Sequence, residues 1–326
     1  MRWIRRRLGA PWVGALWRGH TTFERQGSQF ATAQTVIRCF YAFLLYFAIT
    51  QFTELSTLEA RGAFAPLWPA LWLRWMPAEA GARALFAFYV VASAACALAP
   101  GRRIARIAAW VGILEFVALK NSNGKIGHSL HLLVLVAGLL IFLPAAWDGA
   151  PSQTRRATRQ ATLLVFWACQ AAILLAYTMS GLGKLGGALY QIAAGQPSAF
   201  SPGALGALVA QRLVQTHSES ALGAWIIGHP WLTWPMMPSA LYLELFAFWV
   251  AFRPALHRLW AALLITFHAG TFLTMTITFP QNCLLLALFF FPTPFQPVSV
   301  SWWEIGMSMP LFGGLLRARH KPAAPA

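Results

Sequence analysis

Apolar residues dominate this chain in roughly eight stretches, near 34–52, 83–99, 104–120, 128–146, 160–182, 236–253, 255–278 and 280–293. Several approach the ~20 residues that a helix rising about 1.5 Å per residue needs to cross a hydrocarbon core about 30 Å thick. No water reaches that core to satisfy backbone N–H and C=O groups, so the spanning segments must satisfy them internally as helices. The pattern predicts an all-α fold, a polytopic integral membrane bundle of about eight transmembrane helices.

Composition agrees. Of 326 residues, 58% are hydrophobic and only 10% are charged, with mean hydropathy +0.56. A soluble domain carries roughly 25% charged residues to cover its surface, so most of this surface must face lipid. The net charge of +16 raises nucleic acid as a partner. The basic residues, however, sit in short clusters between apolar runs: the amino-terminal arm, Arg102/Arg103/Arg106, Arg155/Arg156/Arg159, Arg253/Arg258 and Arg317/Arg319/Lys321. These are alternate loops, as the positive-inside rule requires of a chain with an even number of spans and both termini cytosolic. The expected partner of the charge is an anionic lipid leaflet, not nucleic acid.

Residues 1–30 interleave Arg2, Arg5, Arg6, Arg7, Arg18 and Arg25 with Trp3, Trp12 and Trp17. They lack the apolar core and cleavage site of a signal peptide and read as a basic interfacial segment. Residues 31–294 form the membrane domain and 295–326 a cytosolic tail. Segments 53–82 and 183–235 carry little net charge and many Trp and Pro residues, so they are expected to lie on or re-enter the membrane on the other side. Cys39, Cys96, Cys169 and Cys283 occur singly in apolar segments, which signals neither a disulfide framework nor a zinc site.

Ionisable side chains inside a bilayer cost a few kcal/mol or more, so each is a functional candidate. Glu115, Glu244 and His268 fall deep within apolar runs, and Arg38 is close enough to a helix end to snorkel. His128 and His131, three apart, open the fourth helix on one face. They can bond to loop backbone or, less in keeping with the missing second pair, share a metal ion. Glu244 and His268 can pair with each other or with Arg38. Lys184 lies in Tyr177-Thr178-Met179-Ser180-Gly181-Leu182-Gly183-Lys184-Leu185, followed by Gly186 and Gly187, which offer a helix stop. It reads either as a snorkelling interfacial lysine or as a desolvated amine able to act as a base.

Four blocks in order resemble the HTTM (horizontally transferred transmembrane) family, the bacterial relatives of the vitamin K-dependent γ-carboxylase membrane domain. They are Thr35-Val36-Ile37-Arg38-Cys39-Phe40; Asn123-Gly124-Lys125-Ile126-Gly127-His128-Ser129; Tyr177 to Leu185, with Phe200-Ser201-Pro202 beyond; and Glu244, followed by Phe267-His268 and Phe279-Pro280. The resemblance covers about 35–293 and implies a multi-pass protein of the bacterial inner membrane. It further implies that Lys184 deprotonates a reduced quinone (vitamin K-like) with His128 assisting, and that His131, Glu244, His268, Arg38 and Glu115 surround them. The chain departs from the carboxylases in having no large β-rich extracytosolic portion for the substrate's propeptide, so the substrate would come from a separate extracytosolic subunit or be a secreted peptide brought by a partner.

Three functions follow as expectations. The first is a membrane enzyme using Lys184 as base on a quinol-like lipid or a partner-delivered peptide, with γ-carboxylase/epoxidase-like chemistry. The second is a non-catalytic accessory protein in maturation, export or immunity for a secreted peptide. The third is a metal- or haem-binding electron-transfer bundle on His128, His131 and His268.

Overall fold

The computed structural model describes residues 27–52, 65–122, 126–296 and 299–313. The basic arm through residue 26, the Asn123-Gly124-Lys125 part of the second family-like block, and the tail from 314 onward lie outside the described residues. Among the described residues every regular element is helical and there is no strand. The helices are α1 (Gly27–Phe52), α2 (Ala78–Leu98), α3 (Arg103–Asn121), α4 (His131–Leu140), α5 (Arg156–Ala193), α6 (Ala204–Thr216), α7 (Ala221–Gly228), α8 (Pro230–Thr233), α9 (Met236–Leu245), α10 (Ala247–Val250), α11 (His257–Met275), α12 (Pro280–Phe290) and α13 (Trp302–Ser308). Three of them contain segments long and apolar enough to cross a membrane: Ser28–Gln51, Glu79–Leu98 and Arg156–Ala193.

The contacts divide the chain into two compact units, one ending at Ala172 and the other beginning at Ile173 within α5. In the first unit α2 packs on both α1 and α3, and α3 packs on α4. Phe116 of α3 is buried at the centre. Its ring meets Phe47 of α1 edge-on at 6.1 Å, Phe86 of α2 edge-on at 5.2 Å, and Tyr89 stacked at 5.6 Å. Gly112, one turn earlier, has no side chain where a Cβ would come within 2.8 Å of the Tyr89 ring and 3.1 Å of its Cα. Lipid tails are as apolar as these side chains, so close van der Waals fit, not hydrophobic transfer, holds such helices together.

Polar groups close one end of this unit. Arg106 is buried, against the expectation that it serves as an exposed basic anchor beside Arg102 and Arg103. Its guanidinium donates to the carbonyls of Pro100 (2.8 Å), Gly101 (2.9 Å) and Leu143 (2.8 Å). Buried loop carbonyls need donors, and arginine supplies five in a rigid fork. Gln34 donates to the Trp147 and Gly149 carbonyls, and Arg38 donates to the Asp148 carbonyl at 2.7 Å. Arg38 therefore ties down the 141–155 connection.

Several helix limits differ from the apolar runs. Only 10 residues of 128–146 are α-helical, in α4, about 15 Å of rise. The 236–253 run is broken between α9 and α10 at Phe246. The helix expected to stop at Gly186-Gly187 continues to Ala193 and makes α5 38 residues long. Glycine weakens a helix by about 1 kcal/mol without ending it. A glycine closes a helix when it takes the left-handed conformation and capping bonds form around it, as at Gly195, φ +67°, where Gln196 N–H reaches the Gln191 carbonyl at 2.9 Å in a Schellman closure.

In the second unit, segment 183–235 holds the end of α5 and the short helices α6, α7 and α8. Ser220 caps α7 by accepting from Gly223 N–H at 2.8 Å. Leu205 and Val209 of α6, Ile226 of α7 and Met275 of α11 share a small core. Trp225, Trp231 and Trp234 remain exposed, which suits a headgroup boundary.

Candidate functional site

The second unit assembles its polar side chains on one face of α5. Tyr177, Ser180, Gly181 and Lys184 are spaced i, i+3, i+4 and i+7, which stacks them along a single stripe. The break between α9 and α10 lies against that stripe. Thr178 fills it: its hydroxyl accepts from Phe248 N–H at 2.9 Å and lies 3.1 and 3.3 Å from the Glu244 and Leu245 carbonyls. Gly181 makes the approach possible, since a Cβ there would lie 2.7 Å from Leu245 N and 3.0 Å from the Glu244 carbonyl carbon.

This close approach puts the Glu244 carboxylate over α5. Lys184 Nζ lies 2.6 Å from both Oε1 and Oε2, and Ser180 Oγ donates to Oε1 at 3.2 Å. The two partners are unequally buried: the Glu244 side chain is 4% exposed and that of Lys184 45%. Burying an unpaired carboxylate costs several kcal/mol, so this geometry explains how Glu244 is tolerated. Such short bifurcated contacts are those of a charge-assisted pair. Lys184, read from the sequence either as a snorkelling interfacial lysine or as a base, has a buried carboxyl group as its partner. Its Nζ also lies 5.5 Å from the centroid of the Phe267 ring, within cation–π range.

The neighbouring residue, His268, forms a second pair. Its Nε2 and the Tyr177 hydroxyl are 2.7 Å apart, and its ring lies 4.9 Å from that of Phe279. Among the described residues His268 Nδ1 is enclosed and has no hydrogen-bond partner. Glu244 and His268 therefore take different partners, Lys184 and Tyr177; Arg38, in the first unit, donates to the Asp148 carbonyl. Thr178, Ser180 and Tyr177 had been legible only as small or aromatic members of a motif. Their spacing relative to Lys184 was the available signal, but their partners lie more than 60 residues away.

The remaining candidates belong to the first unit. His131 begins α4 and His128 precedes it, so the two do not share a helical face as expected. Their rings nevertheless meet edge-on at 5.0 Å with Nδ1 to Nδ1 3.4 Å. Asn121 Oδ1 accepts from Gly127 N–H at 2.9 Å and shapes the turn before them. Glu115 is half-buried on α3 with Trp72 as its hydrogen-bonding neighbour. Among the described residues no three His, Cys, Asp or Glu side chains converge as metal ligands would. Compared with family models, curated proteins and solved structures, the chain matches none.

Proposed function

We propose that the chain is a multi-pass protein of the bacterial inner membrane and a carboxylase-like HTTM enzyme, with Lys184 and Glu244 as its proton-transfer centre. Its substrate is a quinol-like lipid or a peptide delivered by a partner at the extracytosolic face. Eight crossings with both termini cytosolic account for the basic clusters in alternate connections, with α9 and α10 together making the sixth crossing.

The bidentate contact of Lys184 with a buried carboxylate carries this reading. Moving one proton from Nζ to an Oε of Glu244 turns an ammonium–carboxylate pair into an amine and a carboxylic acid, both neutral. A weakly polar setting makes that exchange far less costly than in water. The freed amine then accepts a proton from the substrate hydroxyl, and the resulting anion lies beside an ammonium again. Lys184 is half-exposed, so a substrate can reach it without the site opening. The adjacent Phe267 ring offers an aromatic face to a lipid-soluble ring.

The test is turnover by protein reconstituted in nanodiscs with a reduced naphthoquinone and oxygen, followed by oxygen uptake and by mass spectrometry of the epoxide. Lys184→Ala is expected to lower the rate at least ~100-fold, the usual worth of a positioned base, while remaining monodisperse. Undiminished turnover in that variant overturns the assignment.

A further inference from the structure

The geometry points to a Zn²⁺ site shared by His128 and His131 at the start of α4. It uses only residues of the first unit, so it stands or falls apart from the reading of Lys184 and Glu244.

A short turn brings the two imidazoles together. His131 N–H donates to the His128 carbonyl at 3.3 Å, so the rings leave the backbone from the two ends of one turn. Asn121 Oδ1 fixes the approach to that turn by accepting from Gly127 N–H at 2.9 Å. On the other side Leu130, Leu132 and Leu133 are buried and hold the first turn of α4 in place. His128 is exposed and His131 half-buried, so an ion can reach the pair without parting the helices.

The spacing of the nitrogens separates a chelate from a hydrogen bond. Nδ1 to Nδ1 is 3.4 Å, beyond the ~2.7–3.2 Å of an ordinary N–H hydrogen bond. It matches the edge of a zinc tetrahedron: with Zn–N bonds of about 2.0–2.1 Å, two ligand nitrogens stand about 3.3–3.4 Å apart. A square-planar ion such as Cu²⁺, with similar bond lengths, needs them at ~2.9 Å. The ring centroids are 5.0 Å apart, with the planes at 80°. Two rings meeting head-on at this nitrogen separation would have their centroids farther apart. The two Nδ1 directions therefore approach at an angle, which convergence on one ion requires.

Binding uses both Nδ1 lone pairs. A neutral imidazole carries one proton, so each ring holds it on Nε2 when zinc is bound. The ring that presents Nδ1–H in the metal-free pair changes tautomer, no covalent bond of the chain breaks, and the ion keeps its charge. Two imidazoles fill half of a tetrahedron. Among the described residues no third His, Cys, Asp or Glu converges on them, so water or an anionic group of another molecule takes the other two positions. Such a site is open and exchangeable, unlike a structural zinc site, which closes with four protein ligands.

The test is zinc titration of untagged protein in lipid nanodiscs, stripped first with a chelator and read by competition with a chromophoric zinc indicator. One Zn²⁺ per chain is expected, with a Kd on the order of 1–100 µM for two imidazoles. His128→Gln and His131→Gln should each weaken binding at least ~10-fold. His217→Gln and His229→Gln, at exposed histidines elsewhere, should leave it unchanged. Equal weakening by all four, or none by either first-unit variant, means adventitious binding and overturns the site. Co²⁺ in place of zinc should give the intense visible bands of a tetrahedral ion; the faint bands of an octahedral one overturn the geometry. Should a variant fail to accumulate, wild-type protein carrying ¹⁵N-histidine is measured instead. Zinc should then shift the Nδ1 signals of two histidines and leave their Nε2 protonated, and shifts at Nε2, or none, overturn the proposal.

Discussion

Because the ion pair is buried on one side only, its two partners are not interchangeable, and removing each has a different cost. Lys184→Met takes away both 2.6 Å contacts and leaves the Glu244 carboxylate, 4% exposed, with the single Ser180 bond. Stranding a buried charge in this way costs about 3–5 kcal/mol. Glu244→Gln leaves an ammonium that is 45% exposed, keeps a cation–π neighbour in Phe267, and can still donate to the amide oxygen. Solvent screening discounts that loss to about 1 kcal/mol. The difference, about 2 kcal/mol or more, is roughly 30-fold in the folded-to-unfolded ratio. The double variant Lys184→Met/Glu244→Gln buries a neutral amide without its charge and should recover at least ~1 kcal/mol relative to Lys184→Met alone. Reversible unfolding in mixed micelles, titrated with a denaturing detergent, gives all three values. Equal losses for the two single variants, or strict additivity in the double, would refute the view that Glu244 depends on Lys184 more than the reverse.

Glycines on α5 and a threonine in its stripe supply sharper packing tests. Gly181→Ala forces a Cβ to within 2.7 Å of the Leu245 backbone and should destabilise by about 1–3 kcal/mol. Gly187→Ala meets nothing within 4 Å and should be neutral or stabilise by up to ~1 kcal/mol through helix propensity; thermal unfolding in detergent separates them, and equal shifts would contradict the close α5–α9 approach. Thr178→Val keeps the shape but removes the acceptor for Phe248 N–H, an expected loss of about 1–3 kcal/mol. Hydrogen exchange at Phe248 should quicken in that variant, and unchanged exchange would show that the hydroxyl does not hold the helix break.

The length of apolar runs and the scarcity of charge are local properties, and a bilayer acts on them segment by segment. For that reason the all-helical class and the set of ionisable residues worth attention could be read along the chain, and of the eight expected spans three, among the described residues, lie in helices long and apolar enough to cross a membrane. Helix ends were less legible. The 186–187 glycines looked like a stop, yet α5 ends where Gly195 takes a left-handed conformation and the closing bonds form, which neither of those glycines does. Arg106 looked like one more basic anchor. Its burial depends on carbonyls of two loops, Pro100-Gly101 and Leu143, that no sequence window holds together.

The site shows the same division. Lys184, Glu244 and His268 stood out one by one because each is costly in an apolar segment. Their pairing did not, since Lys184 reaches Glu244 across 60 residues and Tyr177 reaches His268 across 91. Gly181 lets α9 close on α5, and Thr178 fills the break that turns the Glu244 carboxylate toward Lys184. Those contacts set Lys184 against the Glu244 carboxyl group and give the histidine a tyrosine, not an acid, as its partner. Residue identity makes a buried charge expensive, but only packing between distant helices decides which neighbour offsets it.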